Sequence, residues 1–151
     1  MKTQQTIEIE EAIIKRFNNM REHCVLEVTI GWLGDEICDA VKYDHKGNIT
    51  CFEIKTSVAD FKSKQNKVSF HGHYNSYVLT HDVWEKVKED IPKYIGVWVL
   101  CGMHLECFKR PTRRKMSISV ESMIGFMLRS AFNKTNTQRR GLIPSSERKE
   151  E

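Results

Sequence analysis

The chain has no run of about eighteen apolar residues, so no membrane span is expected. Its first twenty residues are polar and acidic and lack the apolar centre of a secretory signal. Cytoplasmic residence is the resulting expectation. Also missing are internal repeats, a glycine-rich phosphate loop, and a serine or cysteine nucleophile with a placed histidine partner. Phosphate cradling by a loop backbone and covalent nucleophilic catalysis are therefore set aside. Cysteines 24, 38, 51, 101 and 107 are odd in number and fall mostly in apolar, strand-like runs. That usage fits reduced core residues rather than a disulfide framework. Cys101, His104 and Cys107 have metal-like spacing, but zinc would lack an identifiable fourth ligand, and Gly102-Met103 between them looks like a hairpin turn. His71 and His73, around Gly72, are expected to be loop or surface residues.

What is present suits one compact α/β domain over residues 1–132, followed by a polar, charged tail over 133–151 expected to be disordered. The 151 residues are enough for one sizeable core, and hydrophobic and charged fractions of 40% and 29% are ordinary for a soluble protein. An amphipathic helix is expected between Thr6 and Arg21, with Ile7, Ile9, Ile13, Ile14, Phe17 and Met20 on its apolar face. A strand follows from Val25 to Ile30, broken by Gly31 to Gly34, and a short strand spans Ser76 to Leu79. Thr80 can cap a helix from Asp82 to Ile91 that stops at Pro92. Strands from Tyr94 to Cys101 and His104 to Phe108 flank the Gly102 turn, and Ser119 can cap a last helix with Ile124, Met127, Leu128 and Ala131 on one face.

The informative segment is Asp39 to Lys55. Ile37–Tyr43 and Ile49–Ile54 are apolar-rich runs separated by Asp44-His-Lys-Gly47-Asn48, a hairpin signal. With His45, Lys46 and Gly47 as a three-residue loop and Gly47 in the left-handed conformation, Asp44 pairs with Asn48, and counting back sets Asp39 against Glu53. A two-residue turn would instead oppose Asp39 to Phe52. Directly opposed Cβ atoms lie roughly 5 Å apart, where like charges repel. Something positive should therefore sit between the two acids. Lys55, two residues beyond Glu53, falls on the same strand face. A magnesium-type ion suits such a site, because it takes oxygen ligands and often uses only one or two protein carboxylates plus substrate phosphate. Lys55 could orient the attacking water or stabilise charge on the phosphate. The alternative is a solvated hairpin in which Lys55 merely neutralises Glu53. Against it, Phe52 and Ile54 interleave with the charges in what looks like an internal strand, and Ser57 with Asp60 three positions on starts a helix beside the site.

Glu53-Ile-Lys55-Thr-Ser57-Val-Ala-Asp60-Phe61 after an upstream Asp39 resembles the core of the PD-(D/E)XK nuclease superfamily, most closely its MmcB-like DNA-repair branch. The resemblance extends loosely from Glu8 to Ala131; Cys38 stands where the superfamily's name has proline. It implies a restriction-endonuclease-like core with a mixed central β-sheet flanked by α-helices, a Mg2+ or Mn2+ requirement, and hydrolysis of DNA phosphodiesters in repair or processing. Superfamily members often add an acid from the first helix. Here Glu10, near the centre of that helix's apolar arc, is the matching choice, since a glutamate buried there needs a partner or a metal. Its closeness to the helix start also allows it to reach water instead. The expected catalytic set is Asp39, Glu53, Lys55 and Glu10, with Asp39, Glu53 and the backbone carbonyls of Ile54 and Thr56 around the metal.

The net charge of +4 supports a polyanionic partner only weakly; its distribution says more. Lys62, Lys64 and Lys67 follow the motif strand with Gln65 among them, and Lys109, Arg110, Arg113, Arg114 and Lys115 form a dense basic run. Such groups bind DNA phosphates without reading sequence. The competing functions are a catalytically inactive nucleic-acid-binding accessory protein and a protein-interaction module on the same scaffold. Homodimers are common among the proteins the chain resembles, which leaves that state open.

Overall fold

The computed structural model describes residues 2–34, 36–63 and 68–142. Among them the order is helix α1 (Gln4–Phe17), strands β1 (Glu22–Ile30), β2 (Glu36–Asp44) and β3 (Ile49–Lys55), helix α2 (Val58–Ser63), strand β4 (Tyr74–Thr80), helix α3 (His81–Val87), strands β5 (Gly96–Cys101) and β6 (His104–Lys109), and helix α4 (Val120–Leu142). The strands form one six-stranded sheet in sequence order. β1, β2 and β3 make an antiparallel meander, β3–β4 and β4–β5 are parallel, and β5–β6 is an antiparallel hairpin. The expected α/β class with a mixed sheet flanked by helices is therefore present.

The meander turns where glycine permits it. Gly47 has φ +83°, and the Asp44 N–H donates to the Asn48 carbonyl at 3.1 Å, closing the three-residue loop. That loop fixes the register: Tyr43 pairs with Ile49 and Ala40 with Phe52. β3, third of six strands, is buried throughout its length. Its even-numbered Phe52 and Ile54 pack with Ile9, Ala12, Ile13 and Phe17 of α1. Its odd-numbered Ile49 and Cys51 face Met123, Phe126 and Met127 of α4. Further along that second face, Tyr77 and Leu79 pack with Phe61 of α2 and Val83 and Val87 of α3. The sheet thus carries α1 on one face and α2, α3 and α4 on the other.

Several expectations need correction. α1 ends at Phe17 because the Asn18 side chain donates to the Ile14 carbonyl and accepts the Cys24 N–H, so Met20 lies outside the helix, 97% exposed. Ile7 and Ile14 are also partly exposed. Thr80 occupies the cap position of α3, but its side chain makes no cap bond. Ser57 and Ser119 do cap, accepting the N–H groups of Asp60 and Ser122 at 3.1 Å each. α4 is rotated from its expected face: Met123, Phe126, Met127 and Ser130 are buried, whereas Leu128 is 49% exposed. Polar bonds set that rotation, with the Thr29 N–H donating to Ser130 Oγ and Arg129 donating to the Thr29 and Gly31 carbonyls. α4 also continues past the boundary at residue 132 to Leu142, so the first part of the expected tail is helical; residues 143–151 lie outside the described residues. No described helix is long and apolar enough to cross a membrane.

Gly72 lies against the start of β3. A Cβ there would sit 2.7 Å from the Tyr74 carbonyl oxygen, 2.8 Å from that of Ile49 and 3.0 Å from the Cys51 nitrogen, all backbone atoms. Gly72→Ala should therefore destabilise the protein by about 3 kcal/mol or more, measured as a lowered midpoint in urea unfolding. His73 beside it is buried, not a surface residue; its Nδ1 accepts the Ile49 N–H at 3.0 Å, and burial lowers its pKa.

Candidate metal-dependent active site

The hairpin register places Asp39 opposite Glu53, but the β2–β3 backbone pairing stops one step earlier, at Ala40–Phe52. Beyond that point the strands part. The Asp39 carboxylate takes the place of a ladder partner, with Oδ2 accepting the Ile54 N–H at 2.7 Å. Because the N–H and C=O of one strand residue point to the same side, the Ile54 carbonyl faces the same opening. A cavity of about 320 Å3 occupies this parting, lined by Asp39, Glu53, Ile54 and Lys55 together with Glu10, Glu27 and Lys2. The expected catalytic residues therefore share one cavity.

β1 contributes a backbone feature that strand periodicity does not reveal. Glu27 has φ +50°, the sole positive value outside glycine among the described residues. Leu26 pairs with Ala40 and Val28 with Cys38, with Glu27 and Asp39 between them. Leu26 and Ala40 face α1, yet Val28 and Cys38 face α4. Strict alternation would keep residues two apart on one face, so Glu27 and Asp39 are a matched surplus residue in each strand, as in a bulge. The phase change turns both acids toward the parted end of the sheet.

The electrostatics of the cavity are those of acids in excess. Glu53 is 6% exposed, and its pKa is pushed up to about 8 by burial, by the charge of Asp39 and by a hydrogen bond with the Asp39 carboxyl. The Ser69 N–H, donating to Glu53 Oε1 at 3.1 Å, and the Lys55 charge act in the opposite direction. Lys55 is buried, and its ammonium lies 3.7 Å from Asp60 at the start of α2. Glu10 is buried on α1 as the helical wheel suggests; Lys2 Nζ binds it at 2.7 Å and also binds Glu27. The Lys2 ammonium thus engages both acids on the α1 side, while Glu53, buried beside the Asp39 charge, favours its protonated form. That is the condition expected of an oxygen-ligand site for a divalent cation.

Among the described residues, no group of three or more His, Cys, Asp or Glu side chains is arranged to hold a metal ion. Two carboxylates and a backbone carbonyl nevertheless match the sparse protein ligation of Mg2+, which keeps waters and takes substrate oxygens. The donor set suits Mg2+ or Mn2+ and disfavours zinc, since neither thiolate nor imidazole lines the cavity. Cys101 pairs with His104 across the β5–β6 turn, while Cys107 lies opposite Trp98.

No family model and no curated protein matches this chain. A solved structure does: a protein of unknown function from Silicibacter pomeroyi, 14% identical, superposes with a TM-score of 0.76 over 98% of this chain and 100% of that one. That likeness establishes a shared fold.

The basic residues divide. Lys62 is exposed on α2, and Arg110 and Arg113 are exposed beyond β6. Lys109 is not free for a phosphate, because its ammonium donates to the Pro92 carbonyl at 2.7 Å and the Ile91 carbonyl at 3.4 Å. Arg114 lies over the Tyr94 ring, 4.0 Å from its centroid. Lys64, Gln65 and Lys67 lie outside the described residues. Sequence reasoning missed Lys2, Ser69 and Glu36. The Ser69 hydroxyl donates to Glu36 Oε2 at 2.8 Å, and His71 Nε2 meets Glu36 Oε1 at 2.5 Å.

Proposed function

We propose that this protein is a divalent-metal-dependent nuclease hydrolysing DNA phosphodiester bonds in repair or processing, built on a restriction-endonuclease-like core of the PD-(D/E)XK type and closest to its MmcB-like branch. The observation that carries the reading is buried Glu53 set against half-buried Asp39 at the parting of β2 and β3, with Lys55 on the wall of the same cavity. Burying a carboxylate beside a second acid is unfavourable for packing alone, and such pairs mark functional sites. Asp39, Glu53 and the Ile54 carbonyl would hold Mg2+ or Mn2+, which supplies charge neutralisation at the scissile phosphate and polarises the attacking water. The chain's own groups then position the substrate. Lys55, released from Asp60, donates to a phosphate oxygen as negative charge builds there. Glu10 balances Lys2 and keeps the α1 wall closed against the site. Lys62, Arg110 and Arg113 hold flanking phosphates as sequence-independent contacts.

The test is incubation with single-stranded, nicked, flapped and duplex DNA, with and without Mg2+ or Mn2+. Cleavage that needs metal is the expected result. DNA retention without cleavage under every condition would overturn it in favour of a catalytically inactive accessory protein on the same fold, and neither binding nor cleavage would favour an interaction module.

A further inference from the structure

A second cavity, of about 360 Å3, opens between the 68–72 segment and the basic run, with Phe70, His71, Tyr94, Arg114 and Lys115 on its walls. Ser69 joins it to the active site: its N–H holds Glu53, and His71, two residues on, already lines the second cavity. Two residues of extended chain cover at most about 7 Å, the scale of a step from one nucleotide to the next.

We infer that this second cavity receives one unstacked nucleotide of a single DNA strand, its base against Tyr94 and the Arg114 guanidinium and its phosphate at Lys115, so that the substrate carries an unpaired strand beside the scissile phosphate. The inference deepens, and rests on, the nuclease reading above. Two observations favour an unpaired nucleotide over the duplex backbone. Tyr94 is 41% exposed and the Arg114 guanidinium lies 4.0 Å from its ring centroid, which gives a flat, cationic and aromatic surface. Bases stack on such surfaces only after leaving a duplex. The surface is a cavity of about 360 Å3, and a base enters a pocket only when it is out of the stack. Neither Arg114 nor Lys115 is paired with a carboxylate among the described residues, so both charges remain for a polyanion.

The backbone holds the platform in place. The Arg114 N–H donates to the His73 carbonyl at 2.7 Å and the Thr112 N–H to the Tyr94 carbonyl at 3.1 Å, so the basic segment is stitched to both ends of the cavity through main-chain atoms. Side-chain replacement at Tyr94 or Arg114 therefore leaves these bonds intact.

The experiment is fluorescence anisotropy of a labelled single strand and of its duplex in EDTA, where metal-dependent cleavage cannot occur, for wild type, Tyr94→Ala, Tyr94→Phe and Arg114→Ala. Wild type should bind the single strand more tightly than the duplex. Tyr94→Ala and Arg114→Ala should each weaken single-strand binding about 10-fold with duplex binding little changed, and Tyr94→Phe, which keeps the ring, should match wild type. A 2-aminopurine in the strand should be quenched on binding wild type and not Tyr94→Ala, a signature that loss of charge or packing alone would not give. Equal weakening on both DNAs, or no weakening, overturns the assignment. Ring-dependent single-strand binding without cleavage in Mg2+ or Mn2+ would keep this pocket and reject the nuclease; metal-dependent cleavage indifferent to Tyr94 and Arg114 would do the reverse.

Discussion

Glu53→Gln should reduce metal-dependent DNA cleavage by about 10²- to 10³-fold or more and leave the fold intact. Gln keeps an oxygen to accept the Ser69 N–H and fills the same volume, so the backbone contact at 3.1 Å survives. What disappears is the negative charge that binds the cation. Because Glu53 is buried and already favours its neutral form beside Asp39, the neutral amide should not lower stability in metal-free buffer. Lys55→Ala should produce a rate loss of similar size by a different route, with metal binding retained and the phosphate charge left without its donor. Cleavage rates on end-labelled DNA, circular dichroism, and Mn2+ titration separate these outcomes. Undiminished cleavage by Glu53→Gln would remove Glu53 from the chemistry.

The second large effect is a stability that depends jointly on pH and metal. The ordinary pKa of Glu53 is 4.5, and in the folded protein it lies at about 8. Between those values the folded chain holds a proton that the unfolded chain has released, so stability falls as pH rises through the window. Metal-free protein should therefore show a falling Tm from about pH 5 to pH 8. Cation binding must displace that proton, so the rise in Tm produced by Mg2+ or Mn2+ should be small near pH 5 and grow toward pH 8. Asp39→Asn keeps an acceptor for the Ile54 N–H while removing the like charge from Glu53. It should lessen the metal-free pH dependence, of which the burial of Glu53 is the larger cause, and abolish most of the metal effect. A metal-induced Tm shift independent of pH in wild type would refute the proton held on Glu53.

Much of this site is legible in the spacing of its residues. The Gly47 loop length fixed the pairing, and pairing fixed which acids meet, because a strand has only two faces. Glu10 was legible for the same kind of reason, through the helical wheel. The rest left no periodic trace. Lys2 precedes α1, so no wheel includes it. Ser69 acts on Glu53 through its backbone N–H, which any residue but proline could supply. Glu36 and His71 meet from positions 35 apart in the chain. The α4 face was misjudged because hydrogen bonds from Arg129 and to Ser130, rather than apolar spacing, set its rotation. Lys109 looked like its basic neighbours, and only the chain reversal at Pro92 reveals the carbonyls that engage it.

The paired surplus at Glu27 and Asp39 bears on how this chain can tolerate shortening. Excising both residues together would leave Leu26 beside Val28 and Cys38 beside Ala40 with an unbroken in-and-out rhythm, so both apolar layers would keep their present inventories. Excising one alone would slip its strand by one step against the other. The hydrophobic architecture is thus complete without these two acids, and a double deletion should keep both apolar layers while removing both carboxylates from the cavity.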